Sequence, residues 1–345
     1  MATMKQIAEL AGVSRSTVSF ILNDSPLAKK IPERTHKKVL AAADQLGYRP
    51  NEIAQALITG KTKVLGFVTT QMNRQFVSEM LWGAMESVEQ KGYYLKVFPV
   101  SNEKSIETVL NNLLRRKVAA VILQGLTSQS VEWFQQKLLE HRIPCCLLGS
   151  SFSPGSGLRV VSDDSQGSEG AIRYLAEKGH RKIMFLKGQS DWPAFAIRQN
   201  GAVRSAEQCG VELTLATVES CVPPAVDNVE TIRNEMVSIL QEKRGGNTAI
   251  FCANDLLGVL AVQACLRLGI QVPGEISVMG YSLSMLSQIC DPALTTVVQP
   301  HYDMGHAAAA ELVDVLNKED DRVFERALEL KLPTRIEAGG TVATI

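Results

Sequence analysis

The sequence predicts an all-α helix-turn-helix headpiece followed by a bilobed core of two parallel α/β subdomains. Three observations carry that expectation. Two short capped amphipathic segments joined by a glycine turn occupy residues 3–22, near-continuous apolar runs alternate with helical patterns from Lys63 onward, and the alternation restarts after the stretch Ser150 to Gly157. At 345 residues the chain exceeds what one hydrophobic core usually serves, so a small domain plus a large one, or three lobes, is expected.

Composition narrows the class. No apolar run is long enough to span a bilayer. The start, Met1 to Gln6, has no apolar stretch after a basic residue and does not read as a signal peptide, which points to the cytoplasm. Seven cysteines form no CxxC pair, and with five histidines there is no zinc-ligand spacing, so no metal and no cofactor is expected. Buried reduced thiols acting as small hydrophobes are the expectation instead. The formal charge of zero hides an asymmetry: residues 1–62 hold nine basic side chains against five acidic ones. A basic head on an acidic body suits a protein whose one end meets phosphates.

The first helix starts with a capping box, Thr3 as N-cap and Gln6 reaching back. Ile7, Ala8, Leu10 and Ala11 supply its apolar face and Gly12 ends it. Ser14 is a second N-cap candidate, and Arg15 to Leu22 forms helix two with Val18, Ile21 and Leu22 inward. The glycine-containing turn between them makes a helix-turn-helix. A third helix starts near Pro32, carries Val39, Leu40, Ala43 and Leu46, and stops at Gly47. Between Pro50 and Gly60 lies a further helical stretch too short to be stable alone in water.

The run Ile7-Ala8-Glu9-Leu10-Ala11-Gly12-Val13-Ser14-Arg15-Ser16-Thr17-Val18-Ser19, followed by Leu46-Gly47-Tyr48-Arg49-Pro50-Asn51, resembles the headpiece of the lactose-repressor (LacI/GalR) family. The resemblance implies a headpiece at 1–49, a hinge helix and linker at 50–62, and an effector-binding and dimerisation core at 63–345. It places Arg15, Ser16 and Phe20 at base edges in the major groove, where arginine can meet guanine bidentately and an aromatic ring a thymine methyl. Thr3, Ser14, Thr17 and Ser19 match positions that hold phosphates; for Ser14, capping and phosphate contact can coexist. Leu57 matches the hinge leucine that wedges into a minor-groove step. One departure is Gln55-Ala56, where the family often has Arg-Ser.

From Lys63 the texture becomes strand and helix in turn. Strands are expected at 64–69, 94–98, 118–123 and 144–148, with helices at 76–91 and 107–116. A second lobe is expected to repeat the rhythm, with helices at 167–178, 196–209 and 256–268 and strands at 182–186, 249–252 and 277–281. Apolar strands between helices indicate a parallel sheet covered on both faces. Two such lobes resemble periplasmic sugar-binding proteins, which hold ligand in the crevice at the strand C-terminal ends. The N-subdomain is expected at about 63–160 and 293–323, the C-subdomain at about 161–292 and 324–345. Gly179-His180-Arg181, Phe251 to Asp255 and Ile276 to Tyr281 resemble landmarks of the family core, with His180 structural. Asp291 to Val297 looks like the return crossing to the first lobe, and Leu332-Pro333-Thr334 like the closing strand.

For the effector, position selects Asn73, Gln75 and Phe76 after the first strand and Trp192, Arg198, Asn254 and Asp255 on the other lobe. Arg198 is the foremost candidate, because its fork of donors can hold a hydroxyl pair, a carboxylate or a phosphate. Asp255 either binds ligand or caps the following helix. Trp192 either stacks on a sugar ring or packs under the hinge. Ser282 stands where the family commonly has an aspartate that anchors ligand hydroxyls.

The reading is therefore a homodimeric repressor of carbohydrate-uptake or catabolic genes. It binds a near-palindromic operator and is released by a small-molecule effector, a sugar or sugar phosphate. A regulator answering to a corepressor or protein partner is the alternative. No leucine heptads follow the closing strand, which favours a dimer. An enzyme is not expected: Leu65-Gly66-Phe67 lacks the spacing of a dinucleotide turn, and no nucleophile elbow is present. A transport binding protein would share the lobes but would have a signal peptide and no headpiece.

Overall fold

The computed structural model describes residues 2–23, 25–48, 62–149, 157–189, 193–221, 228–325 and 327–345. The chain divides between Lys63 and Val64 into two compact units. Leu57, with residues 50–61 of the expected hinge helix and linker at 50–62, and Trp192 lie outside the described residues.

The first unit is a small helical fold. Helix α1 (Met4–Ala11) begins with the capping box, in which the Gln6 N–H donates to Thr3 Oγ1 and the Thr3 N–H donates to Gln6 Oε1. Gly12, at φ 68°, turns the chain out of it. Helix α2 (Arg15–Leu22) is capped by Ser14, and a short 3-10 helix (Pro26–Lys30) leads to α3 (Glu33–Gln45). Pro32 stands at the N-cap of α3, one place earlier than the expected first-turn position. Ile7, Ala8, Ala11, Val18, Ile21, Val39, Ala42 and Ala43 close the core. Leu10 and Leu40, expected on apolar faces, are half exposed.

The second unit has two six-stranded sheets. In chain order its elements are β1 (Val64–Thr69), α4 (Gln75–Gln90), β2 (Tyr94–Pro99), α5 (Ile106–Arg115), β3 (Ala120–Gln124), α6 (Ser128–Glu140), β4 (Cys145–Leu148), β5 (Gly157–Ser162) and α7 (Asp164–Glu177). There follow β6 (Lys182–Gly188), α8 (Pro193–Cys209), β7 (Glu212–Val218), α9 (Val229–Lys243), β8 (Ala249–Cys252), α10 (Asp255–Arg267) and β9 (Ser277–Ser282). The chain ends with α11 (Met285–Ile289), β10 (Thr295–Val298), α12 (His301–Lys318), α13 (Arg322–Glu325), β11 (Ala327–Leu332) and β12 (Arg335–Glu337).

The first sheet runs β11-β5-β4-β3-β1-β2 and is parallel throughout. The second runs β12-β10-β9-β8-β6-β7, parallel except for the β10–β12 pair. Helices cover both faces of each sheet, so β1, β3, β4, β8 and β10 are buried almost end to end. Helices α4 and α12 approach closely at two glycines. A Cβ on Gly83 would stand 2.1 Å from Tyr302 O, and one on Gly305 would stand 1.9 Å from Met80 O.

Strand pairing moves the expected lobe boundaries. Gly157 to Ser162 pairs with both β4 and β11, so this strand belongs to the first lobe and the first crossing follows Ser162. Thr295 to Val298 continues the second sheet beside β9, which puts the second crossing at Gln299 and Pro300. Ala327 to Leu332 belongs to the first sheet, and the chain returns to the second at Pro333 and Thr334. Hydrogen bonds knit these crossings together. Asp163 N–H donates to Leu332 O at 2.8 Å, Gln299 Nε2 to Ser162 Oγ at 2.8 Å, and Thr334 Oγ1 to Gln166 Oε1 at 2.7 Å.

His180 is structural: its Nε2 donates to Ala343 O while Nδ1 accepts from Thr248 Oγ1. Burial holds its pKa below the usual histidine value, in keeping with the neutral ring this pairing uses. All seven cysteines are free thiols, and burial pushes Cys145 up to about 12 and Cys221 and Cys265 up to about 11. Among the described residues no helix is long and apolar enough to cross a membrane.

Candidate DNA interface and effector cleft

Helix α2 divides its residues by face. Val18 and Ile21 enter the small core, while Arg15 and Ser16 are exposed and Ser19 and Phe20 are half buried. Arg15 makes no hydrogen bond or ion pair among the described residues, which leaves its guanidinium donors available. Ser14 Oγ accepts from Thr17 N–H at 3.1 Å and lies 2.8 Å from Thr17 Oγ1, and Ser19 Oγ accepts from Asn23 Nδ2 at 3.1 Å. In the bonds from Thr17 N–H and Asn23 Nδ2 the serine oxygens act as acceptors, so an O–H proton remains to donate to a phosphate, and capping and phosphate contact are compatible. Further cations stand exposed at Lys29, Lys30, Arg34, Lys37 and Lys38; only Lys37 among them is paired, with Glu33 at 3.0 Å.

In the second unit a cavity of about 390 Å³ opens between the two sheets at their strand C-terminal ends. Its first wall comes from the loop after β1 and from the packed helices α4 and α12. Asn73, Arg74, Gln75, Phe76 and Glu79 line it together with His301. The Phe76 and His301 rings lie 5.4 Å apart, and His301 Nδ1 is 3.5 Å from Glu79 Oε2. That hydrogen bond from His301 holds the Glu79 carboxyl below its usual range against the opposing effect of burial. Gln75 spans the cleft: its Oε1 accepts from Met285 N–H at 2.8 Å, and its Nε2 donates to Glu79 at 3.0 Å.

The second wall is built around two buried carboxylates. Asp164 Oδ2 accepts from Arg198 Nε at 3.1 Å and Nη2 at 3.0 Å, and Oδ1 accepts from Ser162 Oγ and Gln299 Nε2. Arg198 Nη1 donates to Ala253 O at 2.7 Å, and the guanidinium lies 3.9 Å from the Tyr281 ring centroid. Burial, with the adjacent Asp164 charge, pushes the Tyr281 phenol well above its usual value. Asp255, 2% exposed, accepts from Ser284 N–H at 2.6 Å and Thr296 Oγ1 at 2.5 Å. It thereby holds the turn at Ser282 and Leu283, whose φ angles are 117° and 57°. Both are costly for side-chain-bearing residues and persist only when the surroundings over-determine them.

Two family descriptions match this sequence: "Bacterial regulatory proteins, lacI family" over residues 3–51 and "Periplasmic binding protein-like domain" over residues 172–342. The HTH-type transcriptional repressor PurR of Aliivibrio fischeri (strain MJ11) is 30% identical over 342 residues, covering 96% of this chain and 97% of that protein. The chain belongs to the LacI family. Catabolite control protein A of Priestia megaterium is 29% identical over 340 residues, with 97% of each chain covered. Among solved structures, the Lac repressor dimer bound to operator and the anti-inducer ONPF superposes with a TM-score of 0.76 at 22% identity, covering 99% of both chains. The CelR–cellobiose complex gives 0.68 at 24% identity, covering 99% of this chain and 100% of that one. These two likenesses show the fold.

Of the residues expected at the effector site of this LacI-family chain, Asn73, Gln75, Phe76, Arg198, Asn254, Asp255 and Ser282 all line the one cavity. Trp192 lies outside the described residues. Two roles change. The cap of α10 is Asn254, whose side chain accepts from Leu257 N–H at 2.9 Å, and Asp255 holds the 282–284 turn instead. Arg198 spends its donors on Asp164 and Ala253, so much of its fork is committed before any ligand arrives. Sequence reasoning missed Arg74, Asp164, Ser284, Gln299 and His301. The Asp163-Asp164 pair directly after an apolar run was a readable helix-start signal, and Asp163 does cap α7.

Proposed function

We propose that this LacI-family regulator is a homodimeric repressor that binds a near-palindromic operator and leaves it when a carbohydrate-like effector enters the cleft. The observation that carries the sensing half is the shared cavity, where polar groups and ring faces from both lobes converge on one space of ligand size. Asn73, Asn254 and Ser282 contribute amide and hydroxyl groups suited to sugar hydroxyls, and Phe76 contributes an apolar face. Arg198 and Asp255 are positioning residues: each fixes a wall of the cleft through bonds already made.

On the DNA side, Arg15, Ser16 and Phe20 read base edges, and Thr3, Ser14, Thr17 and Ser19 set register on the phosphates. Leu57 is the minor-groove wedge, a role that requires two hinge segments acting as a pair. Effector binding favours a lobe arrangement of low operator affinity, which demands different ligand affinity in the two states. The CelR neighbour is described in complex with cellobiose, in keeping with a carbohydrate. The test is a mobility-shift titration on a selected operator with mono- and disaccharides and their acids and phosphates. Release by one of them is expected; tightening by ligand would make it a corepressor and reverse the polarity.

A further inference from the structure

We infer that the effector carries an anionic group, a carboxylate or a phosphate ester, held by Arg74. The inference rests on the cleft being the effector site. Seven titratable side chains line that cleft among the described residues: Arg74, Glu79, Arg198, Cys221, Asp255, Tyr281 and His301, of which burial keeps Cys221 and Tyr281 neutral. Both acids are spent, Asp255 on Ser284 N–H and Thr296 Oγ1, Glu79 on Gln75 Nε2 and His301. Arg198 is matched by Asp164, with which it shares a buried ion pair at 3.0 Å. Arg74 alone of the cations has a side chain with no hydrogen bond or ion pair among the described residues, although the residue is half buried.

A guanidinium partly withdrawn from water without a counter-charge is a costly arrangement unless a ligand supplies one. The backbone around Arg74 acts in the same sense. Arg74 is the N-cap residue of α4, no side chain caps that helix, and no acid occupies its first turn. His301, 5% exposed and on the same wall, makes no hydrogen bond through Nε2 among the described residues. On the opposite wall Ser284 Oγ is buried without a partner, and Asn254 caps its helix through Oδ1 and leaves Nδ2 unused by the cap. An anion at Arg74 supplies the missing counter-charge, and a hydroxylated body in the same cleft faces polar groups of the opposite wall. An uncharged sugar leaves the guanidinium unmatched.

The experiment is isothermal titration of the full chain with two acids (glucuronate and gluconate), one phosphate ester (glucose 6-phosphate) and two uncharged ligands (glucose and hypoxanthine). It is repeated on R74Q, R74K and the exposed control R115Q. A charged member is expected to bind wild type and R115Q alike, to lose about tenfold or more on R74Q and to recover in part on R74K. Acid against ester separates carboxylate from phosphate. Equal binding of a charged member to wild type and R74Q overturns the proposal, as does a neutral ligand binding more tightly than every charged one. No charged member binding at millimolar concentration overturns it too. A charged ligand that binds through Arg74 yet leaves operator affinity unchanged keeps the anion site and defeats the effector reading.

Discussion

The Ser284 backbone N–H donates to Oδ2 of Asp255 at 2.6 Å, and this bond holds the turn that brings Ser282 and Leu283 into the cleft. Both turn residues have positive φ, and a Cβ on Gly280 would stand 2.4 Å from Asp255 Oδ1, so the carboxylate sits against bare backbone. Asp255→Ala strands the Ser284 N–H and the Thr296 hydroxyl, at a cost of about 1–3 kcal/mol each where burial is complete. Urea unfolding of Asp255→Ala is expected to show that loss together with loss of ligand binding, and Asp255→Asn a smaller one. A change in stability below about 0.5 kcal/mol for the alanine variant would refute the anchoring role.

Arg198 and Asp164 form a buried pair with side-chain exposures of 8% and 1%. Removing one member leaves the other charged and unpaired, which typically costs about 3–5 kcal/mol, whereas replacing both costs much less. Arg198→Met is therefore expected to destabilise the core strongly, and adding Asp164→Leu to recover part of the loss. A double-mutant cycle by chemical denaturation measures this; additive losses would show that the two side chains act independently.

Substituting Gly83 drives a methyl group into the backbone of α12 at Tyr302 O. Gly83→Ala is expected to cost at least about 1–3 kcal/mol through overpacking. Gly170, inside α7 with nothing within 4 Å of a new Cβ, is the matched control, and its alanine variant is expected to gain about 0.4–1 kcal/mol. Thermal midpoints that move the same way in both variants would disprove the close-approach account.

Glu79 supplies a pH dependence. Its hydrogen bond from His301 lowers the folded pKa below the usual 4.5. A depressed carboxyl pKa means that the unfolded chain binds the proton more readily, so this contribution is fully present above about pH 4.5 and is lost as pH falls through the folded value. Glu79→Gln is accordingly expected to flatten the acid limb of stability against pH, and to lower stability without changing its slope at neutral pH, where the contribution is fully present. An acid limb of unaltered slope in the variant would count against the pairing.

Much of this was legible in the chain because the signals were local. The Thr3–Gln6 capping box, the Ser14 cap and the Gly12 turn each lie within four residues, and each formed as expected. The buried strands read as apolar runs. The edge strand Ala327–Leu332 did not, because its alternation of apolar and charged residues resembles a surface segment until β5 is placed beside it. The same limit governs the site. Arg198 was recognisable as a residue in the right place, but its partner Asp164 lies 34 positions earlier, and Thr296 lies 41 positions after the Asp255 it bonds. Arg74, between Asn73 and Gln75, carries no signal in the sequence, because a lone arginine has meaning only once the neighbouring acids are known to be paired.

Selection of duplexes from a randomised pool by this chain at fixed salt tests most directly whether a two-fold DNA reader is coupled to the ligand cleft. The account predicts enrichment of a near-palindrome whose half-sites lose discrimination when Arg15 is replaced by alanine, with binding released by the cleft ligand. Recovery of no common sequence, or of an asymmetric single site indifferent to Arg15→Ala, would contradict it.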